Sequence, residues 1–255
     1  MYSLFRFSAM SILVMAVVSV LGCQPVHNAY KSTKGFYHTY VNKPASLDTG
    51  DRTVLEDPEQ RLVQRVMTID EELSKLEKAL DALSAPPDMQ TANELLRRFP
   101  WLSGLALVAP DGTLGASIPP TPLKQVDYTP LLEAAPKALP RDLRASVQDT
   151  PLGPEILLAR PFLQAETLQV LLVASFDFRA LLPFAASPAD MIVRSPDVLI
   201  WSGDLDYAST PLASVDWPEY LRSETDGTLS KDGQTMLWVT RYIGQTPLVF
   251  AASIR

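Results

Sequence analysis

The spacing of apolar positions changes along the chain, and the changes mark the elements. Between residues 58 and 84, Leu62, Val66, Ile69, Leu73, Leu76, Leu80 and Leu83 recur at alternating intervals of four and three. This is the seam of one long helix with a heptad period. Asp57 suits its N-cap, Pro58 its first position, and Gln60 completes a capping box. Glu71, Glu72, Lys75, Glu77, Lys78 and Asp81 fall on the other faces, and Pro86 and Pro87 lie beyond the end. Such a seam packs either on the helix's own domain or on a second copy of the chain, and periodicity leaves both open. A short helix follows over Thr91–Arg98.

From Trp101 the pattern turns to β. Leu102, Leu105, Leu107 and Val108 run into Pro110, Asp111 and Gly112, a turn signal, and Thr113–Ile118 supplies the returning strand. Residues 119–142 are Pro-rich with a short apolar helix around Leu131–Ala135. Strands are expected at Arg144–Gln148, Glu155–Leu163 and Leu168–Asp177, with a helical exit at Phe178–Phe184. A smaller β-rich unit repeats the theme: strands at Asp190–Val193 and Val198–Trp201, a short helix at Pro218–Glu224, then strands at Gly227–Ser230, Met236–Tyr242 and Leu248–Ile254. The expected fold class is α+β, a long N-terminal helix followed by two lobes, each an antiparallel sheet with short flanking helices. The lobes divide at 57–185 and 186–255.

The N-terminus changes the picture. Phe7 to Leu21 are almost all apolar or small, preceded by Arg6. The run is shorter than the roughly 20 residues of a spanning helix and fits the apolar region of an export signal. Val20, Leu21, Gly22 and Cys23 resemble the lipobox of bacterial lipoproteins. The resemblance implies a signal peptide over 1–22, lipid on Cys23, and an anchored tether over 23–56; an ordinary signal or an uncleaved anchor is the other reading. Cys23 is the only cysteine, so neither a disulfide nor a thiol nucleophile is expected in the folded part. Gln24, rather than aspartate, follows the cysteine. By that resemblance the chain faces the periplasm, with the outer membrane favoured over the inner.

Charge narrows the partners. The formal net charge is −7, and removal of residues 1–22 takes away Arg6 and no acid. An acidic body argues against nucleic acid and against electrostatic adhesion to anionic head groups. Membrane contact is therefore expected through the lipid. His27 and His38, the only histidines, sit in the tether. No nucleophile, zinc or phosphate-loop motif is present, so neither enzyme activity, cofactor nor metal is expected. Asp204 and Asp206 supply two carboxylates without the rest of a calcium loop.

Three stretches carry a further resemblance. Trp101 to Leu114, an apolar strand entering an Asp-Gly turn, resembles the first hairpin of the double Cache (PDC-like, PAS-related) sensor domains. Leu157–Phe162 with Val170–Asp177 resembles the closing strands of the membrane-distal lobe, and Gly233–Ile254 those of the proximal lobe. The resemblance implies extracytoplasmic recognition of a small organic solute in the distal lobe. Amino-acid-binding members carry an Arg-x-Trp-Tyr element and a later aspartate; here Thr129–Leu132 stands in the first place, and only Asp177 matches. Tyr128, Arg160 and Asp177 are the candidate ligand residues, polar groups beside apolar strands. Arg160 either meets a ligand carboxylate, pairs with Asp177 or faces water. The chain ends just after its last strand, so signalling is expected to pass through an envelope partner. The alternative is a scaffold lipoprotein that uses the heptad helix and the aromatic tether to bind another protein or a second copy.

Overall fold

The computed structural model describes residues 58–133 and 143–254. The export signal, Cys23, the tether with both histidines, Asp57 and the end of the helix expected around Leu131–Ala135 lie outside the described residues.

Helix α1 spans Pro58–Asp81 and α2 spans Met89–Arg98, where the Asp88 carboxylate caps by accepting from Thr91 N at 2.8 Å. Strands β1 (Gly104–Val108) and β2 (Leu114–Ile118) form the first hairpin. The short helix α3 (Thr129–Glu133) precedes β3 (Arg144–Gln148), β4 (Glu155–Gln164) and β5 (Thr167–Phe176). A 3₁₀ segment, Phe178–Phe184, leads to β6 (Met191–Arg194) and β7 (Leu199–Trp201). Then come α4 (Trp217–Tyr220), β8 (Asp226–Lys231), β9 (Gln234–Ile243) and β10 (Thr246–Ser253).

The strands form two five-stranded antiparallel sheets, in the orders β2-β1-β5-β4-β3 and β7-β6-β10-β9-β8. The second order is the first with each strand advanced by five, so both lobes share one wiring, consistent with two PAS/Cache-like lobes.

Alternation sends successive side chains to opposite faces of each sheet. The inner faces meet α1 in one core. It joins Leu62, Val66, Ile69, Leu73, Leu76 and Leu80 to Ile156, Leu158, Leu172 and Phe176 of the first sheet and to Val193, Leu237, Leu248 and Phe250 of the second. This corrects the reading of the seam as a dimer surface. Those six helix positions are 0 to 7% exposed within a single chain, and Leu83 packs partly buried against the same core. Sheets covering the apolar stripe leave no seam for a second helix.

Charged side chains on α1 also point inward. Arg241 of β9 is buried; its Nε donates to Asp70 at 2.6 Å and its Nη2 to Glu77 at 2.9 Å and Ser74 at 3.2 Å. Glu77 is buried as well and accepts from Gly244 N at 3.4 Å. The network ties α1 to the proximal lobe.

Candidate functional site

The outer faces of the two sheets differ most where their wiring is the same. On the distal sheet one row crosses the strands as Ser117, Ala106, Val173, Ala159 and Arg144. The adjacent row reads Gly104, Ser175, Leu157 and Ser146. Small side chains dominate these two rows, which we call the trough, and Arg144 stands at the end of the first. On the proximal sheet the corresponding row is Ile192, Ala251, Trp238 and Gly227. There the Trp238 indole lies edge-on to Trp217 at 5.3 Å, with Tyr220 at 5.4 Å, and fills the face. A Cβ on Gly227 would meet Trp238 Nε1 at 3.3 Å. Both outer faces are packed cores, the proximal one filled by indoles and the distal one built on smaller, aliphatic side chains.

A strap crosses the trough. It runs from Lys124 through α3, and Val126, Tyr128, Leu131 and Leu132 pack on Ala106, Val108, Leu157, Ala159, Leu171 and Val173. Leu131 is fully buried. Polar clasps hold the strap. Gln148 accepts from Asp127 N at 2.8 Å through Oε1 and donates to Asp127 O through Nε2. Arg144 Nη1 donates to Leu131 O at 2.8 Å and Leu132 O at 3.4 Å, which satisfies carbonyls at the end of α3. At the other end Lys124 Nζ lies 2.7 Å from Asp177 Oδ2, 2.8 Å from Glu155 Oε2 and 2.9 Å from Pro154 O. The Glu155 contact is an ion pair by distance but lacks hydrogen-bond alignment, and Oε2 has no hydrogen-bond partner among the described residues. Glu155 is almost wholly buried, and the Lys124 ammonium is the opposite charge beside it.

Asp177 caps the 3₁₀ segment, accepting from Arg179 N at 2.9 Å, and it also pairs with the Arg179 guanidinium. Burial alone would raise its pKa. The hydrogen bonds from Arg179 and Lys124 outweigh burial and hold the carboxyl far below the usual carboxylate range. Burial pushes the Tyr128 phenol up.

The three residues singled out from the sequence are therefore divided. Tyr128 lies in the strap, on the trough side. Asp177 lies at its Lys124 end, already carrying two cations. Arg160 shares its face with Leu158 and Phe162 and points to the opposite side, where it pairs with Asp81 of α1 at 3.2 Å. It neither pairs with Asp177 nor joins the trough. The residues that shape the site, Arg144, Lys124, Gln148 and Glu155, were not singled out. Alternation carried a signal for Arg144: it shares a face with Ser146 and Gln148, while Leu143, Ala145 and Val147 take the other. Nothing local marks Lys124.

A depression of about 50 Å³ lies between α2 and β2, lined by Met89, Ala92 and Ile118 among others and including Ala106 and Ser117 of the first row. Among the described residues no cluster of three metal-ligating side chains occurs, and no helix is long and apolar enough to cross a membrane.

No protein-family model matches the chain, and no curated protein matches it. Solved structures do. An extracellular ligand binding receptor from Desulfohalobium retbaense is 14% identical with a TM-score of 0.46; the match covers 77% of this chain and 38% of that one. This chain thus matches well under half of that receptor's length. The ligand-binding domain of the Pseudomonas fluorescens chemoreceptor CtaA, in complex with L-alanine, is 13% identical with a TM-score of 0.48, covering 77% of this chain and 92% of that one. The ligand binding domain of the Pseudomonas aeruginosa amino acid chemoreceptor PctC, in complex with GABA, is 14% identical with a TM-score of 0.46, covering 77% and 95%. Likenesses this distant carry nothing about what this chain binds.

Proposed function

We propose that this chain is an extracytoplasmic, lipid-anchored binding module. It takes a small organic solute on the outer face of its distal sheet and passes the bound state to an envelope partner. The observation that carries the reading is the contrast between two identically wired sheets: one outer face is filled by indoles, the other carries aliphatic side chains, the small Ala106 and Ala159 among them, beneath a strap held by polar clasps. On this reading the strap lifts to admit the ligand to the side chains beneath it. The lipobox resemblance at Cys23 supports the anchor. The role is one of binding rather than catalysis.

A thermal-shift screen with organic acids, amino acids, amines and nucleosides tests the reading. A ligand at a hundred times its dissociation constant stabilises by about 2.7 kcal/mol. A hit that also slows amide exchange over residues 124–132 is the expected result. A flat screen on well-folded protein overturns it.

One observation favours a second reading, a scaffold lipoprotein. Edge strand β2 is uncharged, and Leu114, Gly115 and Ala116 are exposed, the kind of edge that pairs with another strand. In that case Ala116→Pro abolishes complex formation while ligand screens stay flat.

A further inference from the structure

We propose that the strap opens from its Lys124 end, pivoting on α3, and that the Lys124 ammonium is the latch that holds it shut. The proposal deepens the binding reading above by naming what gates that site. Its test uses no solute, so a failed latch and a failed ligand screen are told apart.

The two ends of the strap are held in different ways. At α3 the hold is packing: Leu131 is fully buried in the outer-face cluster, and the buried Arg144 donates to the carbonyls of Leu131 and Leu132. Toward the other end Pro120, Thr121, Leu123 and Gln125 are exposed, Leu123 at 83%. Lys124 turns inward between them. Its side chain is 9% exposed, and its Nζ lies 2.7 Å from Asp177, 2.8 Å from Glu155 and 2.9 Å from Pro154 O. The Gln148–Asp127 clasp falls between the two ends and is exposed.

An ammonium is a compact, strongly hydrated charge on a flexible stem, so it regains water when the stem swings out. The two acids it leaves are not equivalent. Asp177 keeps Arg179, through both the guanidinium and the backbone N–H. Glu155 is 1% exposed, and Lys124 is its ion-pair partner among the described residues. Departure of the lysine leaves a buried carboxylate uncompensated, which is costly and draws the lysine back. Asp177 thus tolerates the open state, and Glu155 closes it again. Packing at Leu131 keeps the far end in place throughout, so the strap swings rather than unfolds.

The test is pulsed acetylation of lysines in the full wild-type chain, read by mass spectrometry. Each rate is divided by that of the same lysine in urea, and exposed Lys78 and Lys231 serve as references. Lys124 is expected to be protected about tenfold or more relative to them, yet far less than the amides of β4 and β5, whose exchange reports global unfolding. Protection no greater than that of the references overturns the latch. Protection equal to that of the β4 and β5 amides overturns the opening. Acetylation removes the charge, so the modified chain is held open. In it the Asp127 amide, which donates to Gln148, is expected to exchange faster, while those of Leu131 and Leu132, which donate to Tyr128 O, keep their rates. Equal acceleration of all three overturns the pivot. Glu155→Gln keeps the shape and removes the charge, and is expected to lower Lys124 protection about tenfold. Unchanged protection in the folded variant overturns the role of Glu155; if the variant fails to fold, the wild-type protection decides alone.

Discussion

Leu76→Ala tests whether the heptad seam belongs to one chain. Leu76 is fully buried, with Leu73 and Leu80 one turn away on either side, and all three join the core shared with both sheets. The substitution removes three carbon groups, each worth about 0.8 kcal/mol of transfer, or roughly 2.4 kcal/mol. Two sheets hold the site open, so a cavity term adds to this, and the loss is expected at about 3–4 kcal/mol. For a body of this size that lowers the melting temperature by roughly 10 °C. The assay is urea unfolding followed by circular dichroism at two protein concentrations well apart. Wild type and variant are each expected to keep one midpoint at both concentrations, because an internal seam involves no association. A loss below about 1 kcal/mol, or a wild-type midpoint that rises with concentration, refutes the reasoning and restores the seam as an interface between copies.

Three further outcomes follow from the geometry. Gly244 has φ of +54°, and a Cβ there would meet Leu143 O at 2.8 Å; Gly244→Ala is expected to destabilise by at least about 1–2 kcal/mol, read as a lowered melting temperature, and an unchanged melt would contradict the close approach. Trp238→Ala empties the proximal outer face and is expected to cost about 3–5 kcal/mol, measured by urea unfolding; a cost near zero would mean that face is not packed as described. The folded-state pKa of Asp177 is depressed, so its contribution to stability is present above the unfolded value of about 3.9 and is lost as the pH falls below it. Asp177→Asn is therefore expected to be less stable than wild type at pH 7, with the gap narrowing in acid, and a pH-independent gap would argue that the ion pairs with Lys124 and Arg179 contribute nothing.

Much of the fold was legible because it is written in local periods. Arg144–Gln148 and Phe178–Phe184 fall where the sequence placed them, and β4 and β5 end within a residue of expectation. The short helix begins two residues earlier than expected because Asp88, rather than a later residue, caps it. What the sequence could not show is pairing at a distance. A heptad pattern assigns Glu77 to a solvated face, yet Arg241, far along the chain, draws it into the core. Arg160 looked like a ligand residue because apolar neighbours surround it; its partner is Asp81, at the far end of a different element. Lys124 sits in a Pro-rich loop with no period at all, and only the fold brings it to Glu155 and Asp177.

The shared wiring of the two sheets has a practical consequence. In hydrogen-exchange or labelling experiments the proximal lobe serves as a reference built into the same molecule, with matching strand order, strand direction and solvent. Any additive that merely tightens the whole protein slows both lobes together. One that occupies the trough slows the distal strands and their strap while β6–β10 keep their own pace, so specific binding is read within a single sample, without a second protein for comparison.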